Sequence, residues 1–294
     1  MGLFRAAVVY GRMIKFSHSI FALPFAFSGA ALAAVHRGIT LEQVGWIALA
    51  MVGARSAAMG FNRLVDRHID LANPRTQKRE LPRGVVSPQA VTFFVVTSSA
   101  LFVLAAYRLN PLCFYLSPVV LGVLLFYSLT KRFTWASHLV LGLSLGGAPL
   151  GAWIAIAGGF DPVPILLGLA VLVWVAGFDI IYACQDYDFD VETGLHSIPV
   201  RFGVQNSLGI ARLLHVVAVV LWVFVGVYMG LNAIYFVGVA VVATLLVYEH
   251  RLVGGGDMAK VGMAFQTVNS VISVVYLAFI LADLLILGKG AGGT

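Results

Sequence analysis

The chain has 294 residues, 60% of them hydrophobic and only 11% charged, with a mean hydropathy of +0.95. Soluble domains are about half apolar and about one quarter charged, so a soluble enzyme, a disordered chain and a disulfide scaffold are excluded. The net charge of +6 and pI near 9.5 fit basic loops that set membrane orientation and meet anionic lipid, and no nucleic-acid partner is expected.

A bilayer-crossing helix needs about 20 apolar residues. Runs of that kind predict nine spans: Phe16–Val35, Leu41–Phe61, Ala90–Tyr107, Leu112–Leu129, Ser137–Ile156, Val163–Ile181, Leu208–Met229, Leu231–Tyr248 and Ala264–Leu287. None alternates with a period of two, which excludes a transmembrane β-barrel. The first run follows Arg5, Arg12 and Lys15 and contains the small residues Ala31–Ala34, as a signal peptide does. It is longer than the roughly 7–15 residues of a signal's apolar stretch and reads as a retained helix. The seventh and eighth runs are separated by Gly230 alone, which predicts a hairpin. Cys113 and Cys184 are far apart in apolar surroundings and offer no CxxC spacing for metal or redox work.

Loop charges give an orientation. With the N-terminus inside, fourteen of the nineteen Lys and Arg fall on the inner side and three (Arg37, Arg108 and Lys289) on the outer, a positive-inside asymmetry. The expectation is an all-α membrane protein with nine transmembrane helices, N-in and C-out. It forms one domain over residues 1–294, with two weakly repeated halves, about 16–160 and 161–287. Each half carries an acidic helix end followed by Leu81-Pro-Arg-Gly84 or Ile198-Pro-Val-Arg-Phe-Gly203. Outer connections are short. Two inner ones, about Asn62–Gln89 and Tyr182–Ser207, are long and polar, as functional loops tend to be.

The first long connection opens with Asn62, Asp66 and Asp70 at i, i+4 and i+8, one face of a helix leaving the bilayer. The second carries Asp179, Asp186 and Asp190 at i, i+7 and i+11, again one face, with Asp188 on the opposite one. Both clusters offer only oxygen ligands, the chemistry that Mg²⁺ prefers, and Mg²⁺ characteristically bridges carboxylates to phosphate oxygens. Two such clusters on one membrane face suit Mg²⁺ ions clamping a diphosphate. Asp179 sits at the edge of an apolar span, where a carboxylate is costly.

A diphosphate also needs cations. Tyr127 and Lys131, at i and i+4 at the end of the fourth span, point together on the same side. Among the basic residues after the first cluster, Lys131 and Arg79 are the expected phosphate donors, while Arg67 and Arg132 read as topology signals. Arg55 lies inside the second span in Gly53-Ala-Arg-Ser-Ala-Ala58, two turns before Asn62 and on its face. A charge at that depth is a functional candidate, placed to hold a carboxylate beneath the metal site.

At these residues the chain resembles the UbiA-type intramembrane aromatic prenyltransferases. The family's Asn-Asp-x-x-Asp-x-x-x-Asp, Tyr-x-x-x-Lys and second Asp-x-x-x-Asp motifs read here as Asn62…Asp66…Asp70, Tyr127…Lys131 and Asp186…Asp190, and Asp179 and Arg55 also look like family positions. Arg63 stands where many members carry the first motif's Asp. The runs Asn73–Pro82 and Gly194–Pro199 look like 4-hydroxybenzoate polyprenyltransferases, and equally like a branch acting on dihydroxynaphthoate in menaquinone synthesis.

The resemblance implies nine helices around a central cavity and Mg²⁺-dependent transfer of a polyprenyl group from an allylic diphosphate to an aromatic acid. Asn62, Asp66, Asp70, Asp186 and Asp190 are then expected at the metal, with Asp179, Lys131 and Tyr127 catalytic. Arg55, Asn62, Arg79, Tyr182 and Lys131 are expected at the substrates. Phe178, Tyr182 and Trp174 are candidates to support an allylic cation. The implied home is the bacterial inner membrane, among lipid, with the site opening to the cytoplasm. A secondary transporter is the alternative from another class; such proteins bind ions at midplane helix breaks, whereas the acidic residues here cluster at one face.

Overall fold

In the computed structural model, which describes residues 3–15, 21–254 and 261–288, the described residues form helices and no strands. They are α1 (Leu3–Met13), α2 (Leu23–Arg37), α3 (Leu41–Val65), α4 (Arg67–Ala72), α5 (Pro88–Leu109), α6 (Pro111–Thr130) and α7 (Ser137–Ala157). There follow α8 (Pro162–Ala183), α9 (Tyr187–Thr193), α10 (Ile198–Phe202), α11 (Val204–Met229), α12 (Ala233–Val253), the short α13 (Val261–Met263) and α14 (Asn269–Ala282). Seven of these helices, and the continuous helical stretch Phe265–Leu287 that contains α14, are long and apolar enough to cross a bilayer. The expected first span is represented by the shorter α2, and residues 16–20 of that expectation lie outside the described residues.

The sequence marks where these helices begin and end. Ser87, Asn110 and Asp161 each accept a hydrogen bond from a first-turn N–H, and each precedes a proline in the first turn of α5, α6 or α8. That position needs no N–H donor. Gly158 and Gly230 close α7 and α11 with left-handed φ values of +75° and +63°, a backbone state that only glycine enters freely. Gly230 thus makes the expected tight hairpin between α11 and α12.

The molecule is apolar outside as well as inside. Phe93, Tyr115 and Leu285 are more than 70% exposed, the pattern of a lipid-facing surface. The interior of the C-terminal half is an aromatic core of Phe25, Trp174, Trp222, Tyr235 and Tyr276, with Phe25–Trp174 and Trp222–Tyr276 ring centroids 5.0 and 5.2 Å apart. Several polar groups within it are paired, as a water-free interior favours. Asp283 accepts the Asn232 and Tyr235 N–H groups that open α12, and the Trp174 indole N–H donates to Asn269, which donates in turn to Glu249. Trp174 therefore belongs to the core and does not reach the polar cavity described below, contrary to its expected place near a cation.

Close helix contacts bring the site elements together. α7 and α8 meet at Gly142, Gly146 and Gly168, where backbones approach in the way small residues permit in membranes. A Cβ on Gly146 would lie 2.4 Å from the Gly168 carbonyl oxygen. Gly146→Val should therefore cost about 1–3 kcal/mol through overpacking, read as a lower unfolding midpoint of the detergent-solubilised protein. Gly122→Val, where a Cβ meets nothing within 4 Å, should leave the midpoint in place.

Candidate active site

α3, α6, α8 and the connections after them converge at one end of the bundle. The first long connection is not a plain loop: α3 runs through Asn62 to Val65, the chain turns at Asp66, and α4 carries Asp70. Asn62 Nδ2 still donates to Asp66 Oδ2 at 3.0 Å, so the expected acidic face survives the break. In the second connection, α8 tightens into a single turn over Cys184–Asp186 before α9 presents Asp190.

These elements enclose a polar cavity of about 260 Å³. Arg55, Asn62, Asp66, Asp70, Arg79, Tyr127, Lys131, Asp179, Tyr182, Asp186 and Asp190 all lie on its wall. Asp188 is exposed and outside it. A second cavity of about 230 Å³, almost wholly apolar, lies among α3, α5, α6 and α7. The two share Arg55, Met59, Tyr127, Leu141 and Leu145, so Arg55 and Tyr127 stand at a junction between polar and apolar space.

Each carboxylate but one is held by a named partner. Asp66, 2% exposed, receives Lys131 Nζ at 2.6 Å and Arg132 Nη2 at 2.8 Å. Arg132 is thus part of the site and not only a topology signal. Arg67 stays outside, its guanidinium on the Leu64 carbonyl. Asp70 pairs with Arg79 at 2.7 Å through Oδ1. Its buried Oδ2 has no hydrogen-bond donor, the Arg63 guanidinium lying 3.8 Å away. Asp186 accepts from Asn73 Nδ2 at 3.1 Å and from Arg75 Nε at 2.9 Å, and a second Arg75 nitrogen reaches its other oxygen. Arg75 also donates to the Tyr182 hydroxyl and lies over the Tyr182 ring. Burial alone would lower the Arg75 guanidinium; its bonds to Asp186 and Tyr182 outweigh that and hold it above its ordinary range. Among the described residues Asp179 bonds only to His138, Nδ1 to Oδ2 at 2.7 Å. Asp190 faces the cavity with no ion pair among the described residues.

The N-terminal segment forms part of the wall. Met13 and Ile14 pack on Leu81, Val86, Val91 and Val95. The carbonyl oxygens of Met13 and Lys15 accept from Arg63 Nε at 3.1 Å and Arg55 Nη2 at 3.3 Å. Free carbonyls at a helix end attract cations, which explains why Arg63 is buried there. Arg55 Nε is buried without a partner. The Lys15 ammonium is pushed down to about 8, first by burial and then by the charges of Arg63, Arg79 and Arg75.

Sequence reasoning missed Lys15, Asn73 and His138, and preferred Arg79 to Arg75 as a donor. Asn73 carried a readable signal: in Asn-Pro-Arg its side chain accepts the Arg75 N–H at 2.8 Å, an Asx turn. His138, on the first turn of α7, carried none.

Among the described residues no three His, Cys, Asp or Glu side chains converge on a point that could hold a metal alone. The donor set nevertheless fits Mg²⁺, which is held by one or two carboxylates and completed by water and phosphate oxygens. The open Oδ2 of Asp70 is an oxygen of the kind such an ion takes.

Known proteins share this architecture. A solved UbiA homologue from Aeropyrum pernix K1 superposes with a TM-score of 0.84 at 35% identity, over 91% of this chain and 98% of that one. A UbiA homologue from Archaeoglobus fulgidus, solved with DMAPP and Mg²⁺, has the same fold at a TM-score of 0.70 and 19% identity, over 94% and 99% of the two chains. The 4-hydroxybenzoate octaprenyltransferase of Photobacterium profundum is 31% identical over 78% of this chain and 79% of its own. That of Vibrio cholerae is 33% identical over 74% and 76%. The pattern of the UbiA prenyltransferase family matches residues 22–280. A secondary transporter is thereby set aside, and the chain, an integral membrane protein, belongs to the UbiA prenyltransferase family.

Proposed function

We propose that the protein transfers a polyprenyl group from an allylic diphosphate to an aromatic acid, 4-hydroxybenzoate or a close analogue, at the cytoplasmic face of a bacterial inner membrane. The observation that carries this reading is the junction: Arg55, buried with an unpartnered Nε, stands between a charged cavity and an apolar one. In this reading the diphosphate occupies the polar cavity, the prenyl chain enters the apolar one, and the acceptor's carboxylate rests on Arg55. The donor and acceptor classes agree with the ligands of the A. fulgidus homologue and the names of the bacterial relatives.

The ion pairs suggest how the site loads. Lys131, Arg79 and Arg75 already sit against Asp66, Asp70 and Asp186, and each prefers phosphate oxygens as well as carboxylates. Asn62, Asp66, Asp70, Asp186 and Asp190 are the residues to hold Mg²⁺, whose bound charge stabilises the departing diphosphate. Lys131 and Arg79 then turn to the phosphate oxygens, and the Tyr127 hydroxyl at the junction donates to the leaving oxygen. The C–O bond to the diphosphate breaks and the ring carbon ortho to the phenolic hydroxyl bonds to the allylic carbon. The Phe178 ring, on the wall of the polar cavity, supports the developing cation, whereas the Tyr182 ring is already covered by Arg75, and the apolar wall keeps water from the cation. Asp179 takes the proton the ring loses. Asp186 already carries a guanidinium and an amide, whereas Asp179 has no Lys or Arg partner among the described residues.

An assay of membranes with labelled prenyl diphosphate and 4-hydroxybenzoate tests the reading: EDTA should abolish transfer and excess Mg²⁺ restore it. Asp66→Asn and Asp186→Asn should each lower kcat by about 100-fold or more, the factor that several kcal/mol of leaving-group stabilisation represents. Full activity in both would remove the metal clamp. Arg55→Leu should raise the acceptor's KM by about 10–100-fold, the worth of a charge-assisted hydrogen bond, with little change in the donor's. Equal effects on both would make Arg55 structural.

The depressed Lys15 has a signed consequence. It is protonated below about pH 8 and neutral above, and a nearby diphosphate favours the charged form. Donor binding at pH 9 should therefore take up a proton, and binding at pH 6.5 should not. Calorimetry in buffers of different ionisation enthalpy reads this directly, and Lys15→Met should erase the difference.

A further inference from the structure

His138 occupies a position that its sequence context does not advertise. It lies on the first turn of α7, 3% exposed, on the wall of the polar cavity. Its Nδ1 is 2.7 Å from Asp179 Oδ2, and its Nε2 is 3.3 Å from the backbone nitrogen of Ile198. A backbone N–H can only donate, so Nε2 must be the acceptor and Nδ1 must carry the proton. One tautomer satisfies both bonds. An imidazolium, protonated at both nitrogens, would set one N–H against another.

This arrangement differs from a relay histidine, whose second nitrogen faces a reacting group. Here that nitrogen is closed by the chain itself. The segment supplying it, Gly194–Pro199, is fixed independently: the His196 N–H donates to the Lys131 carbonyl at 2.8 Å, and the Ser197 hydroxyl caps α10. The ring cannot turn without breaking a bond to main chain. One oxygen of Asp179 is thereby held, and the other is left to the cavity.

We propose that His138 is a positioning residue for the prenyl transfer: locked as the Nδ1–H tautomer by the Ile198 N–H, it aims Asp179 at the ring proton and does not itself carry that proton. This rests on the reading of Asp179 as the group that receives the ring hydrogen. In the step, the new carbon–carbon bond forms as the C–O bond to diphosphate breaks, and the ring proton passes to the free Asp179 oxygen while His138 keeps its own.

Two measurements test it. In protein labelled with ¹⁵N-histidine and held in detergent, the His138 resonances, assigned by their loss in His138→Gln, should show Nδ1 protonated and Nε2 bare. The opposite tautomer, or an imidazolium, overturns the proposal whatever the enzyme's substrate. Kinetically, His138→Leu should lower kcat by about tenfold or more with the KM values for donor and acceptor little changed. His138→Gln, whose amide can donate to Asp179 and accept from Ile198, should retain most of the rate. In an Asp179→Asn background His138→Leu should cost nothing further. An equal loss in both backgrounds shows His138 acting independently of Asp179 and overturns the proposal alone. Asp179→Asn at the wild-type rate removes the reading of Asp179 as proton acceptor, and the positioning role with it.

Discussion

A carboxylate at the edge of a bilayer must find a partner or surrender its charge, and that constraint organises one end of this protein. Asp66 draws in Lys131 and Arg132 from the end of α6, Asp70 draws Arg79 back across its own connection, and Asp186 draws Arg75 onto α8. The Asp66 and Asp186 pairs join segments distant in sequence, and the Asp70 pair closes the first connection on itself. Together they fold two long polar connections over the cavity that a water-filled loop would leave open. The interactions that shape the site are the same ones that concentrate cations beside its acids.

The rest of the bundle supplies the contrast that makes such charges useful. Small residues on α7 and α8 bring those backbones together, and the aromatic core built on Phe25, Trp174 and Trp222 ties α2 to α8 and α11 in a buried, largely apolar interior. The polar cavity meets an apolar one, and Arg55 and Tyr127 belong to both. Electrostatic interactions across such a boundary are stronger than in water. A leaving diphosphate and a transient carbocation need that adjacency of charge and dryness.

Much of this was legible in the sequence because membrane helices announce themselves by length and apolar content, and because carboxylates are rare in such a chain. The spacing of Asn62, Asp66 and Asp70 placed them on one wall even though α3 breaks at Asp66, since the turn there preserves the direction of the face. What could not be read were contacts made by main chain. Nothing about Lys15 or Met13 says that their carbonyl oxygens will receive Arg55 and Arg63, and nothing in Ile198 says that its N–H will fix an imidazole sixty residues away. Every residue has a backbone, so these bonds leave no mark in residue type. Arg132 was misjudged for a related reason: a basic residue after a span serves topology and pairing equally well, and only its distance to Asp66 separates the two.

The clasp between α1 and α3 has a corollary for the site. Two arginines of α3 spend part of their hydrogen bonding on the carbonyls of Met13 and Lys15, and that segment is wedged by Met13 and Ile14 against the start of α5. The Met13–Lys15 segment thus links the packing at the start of α5 to the residue at the cavity junction.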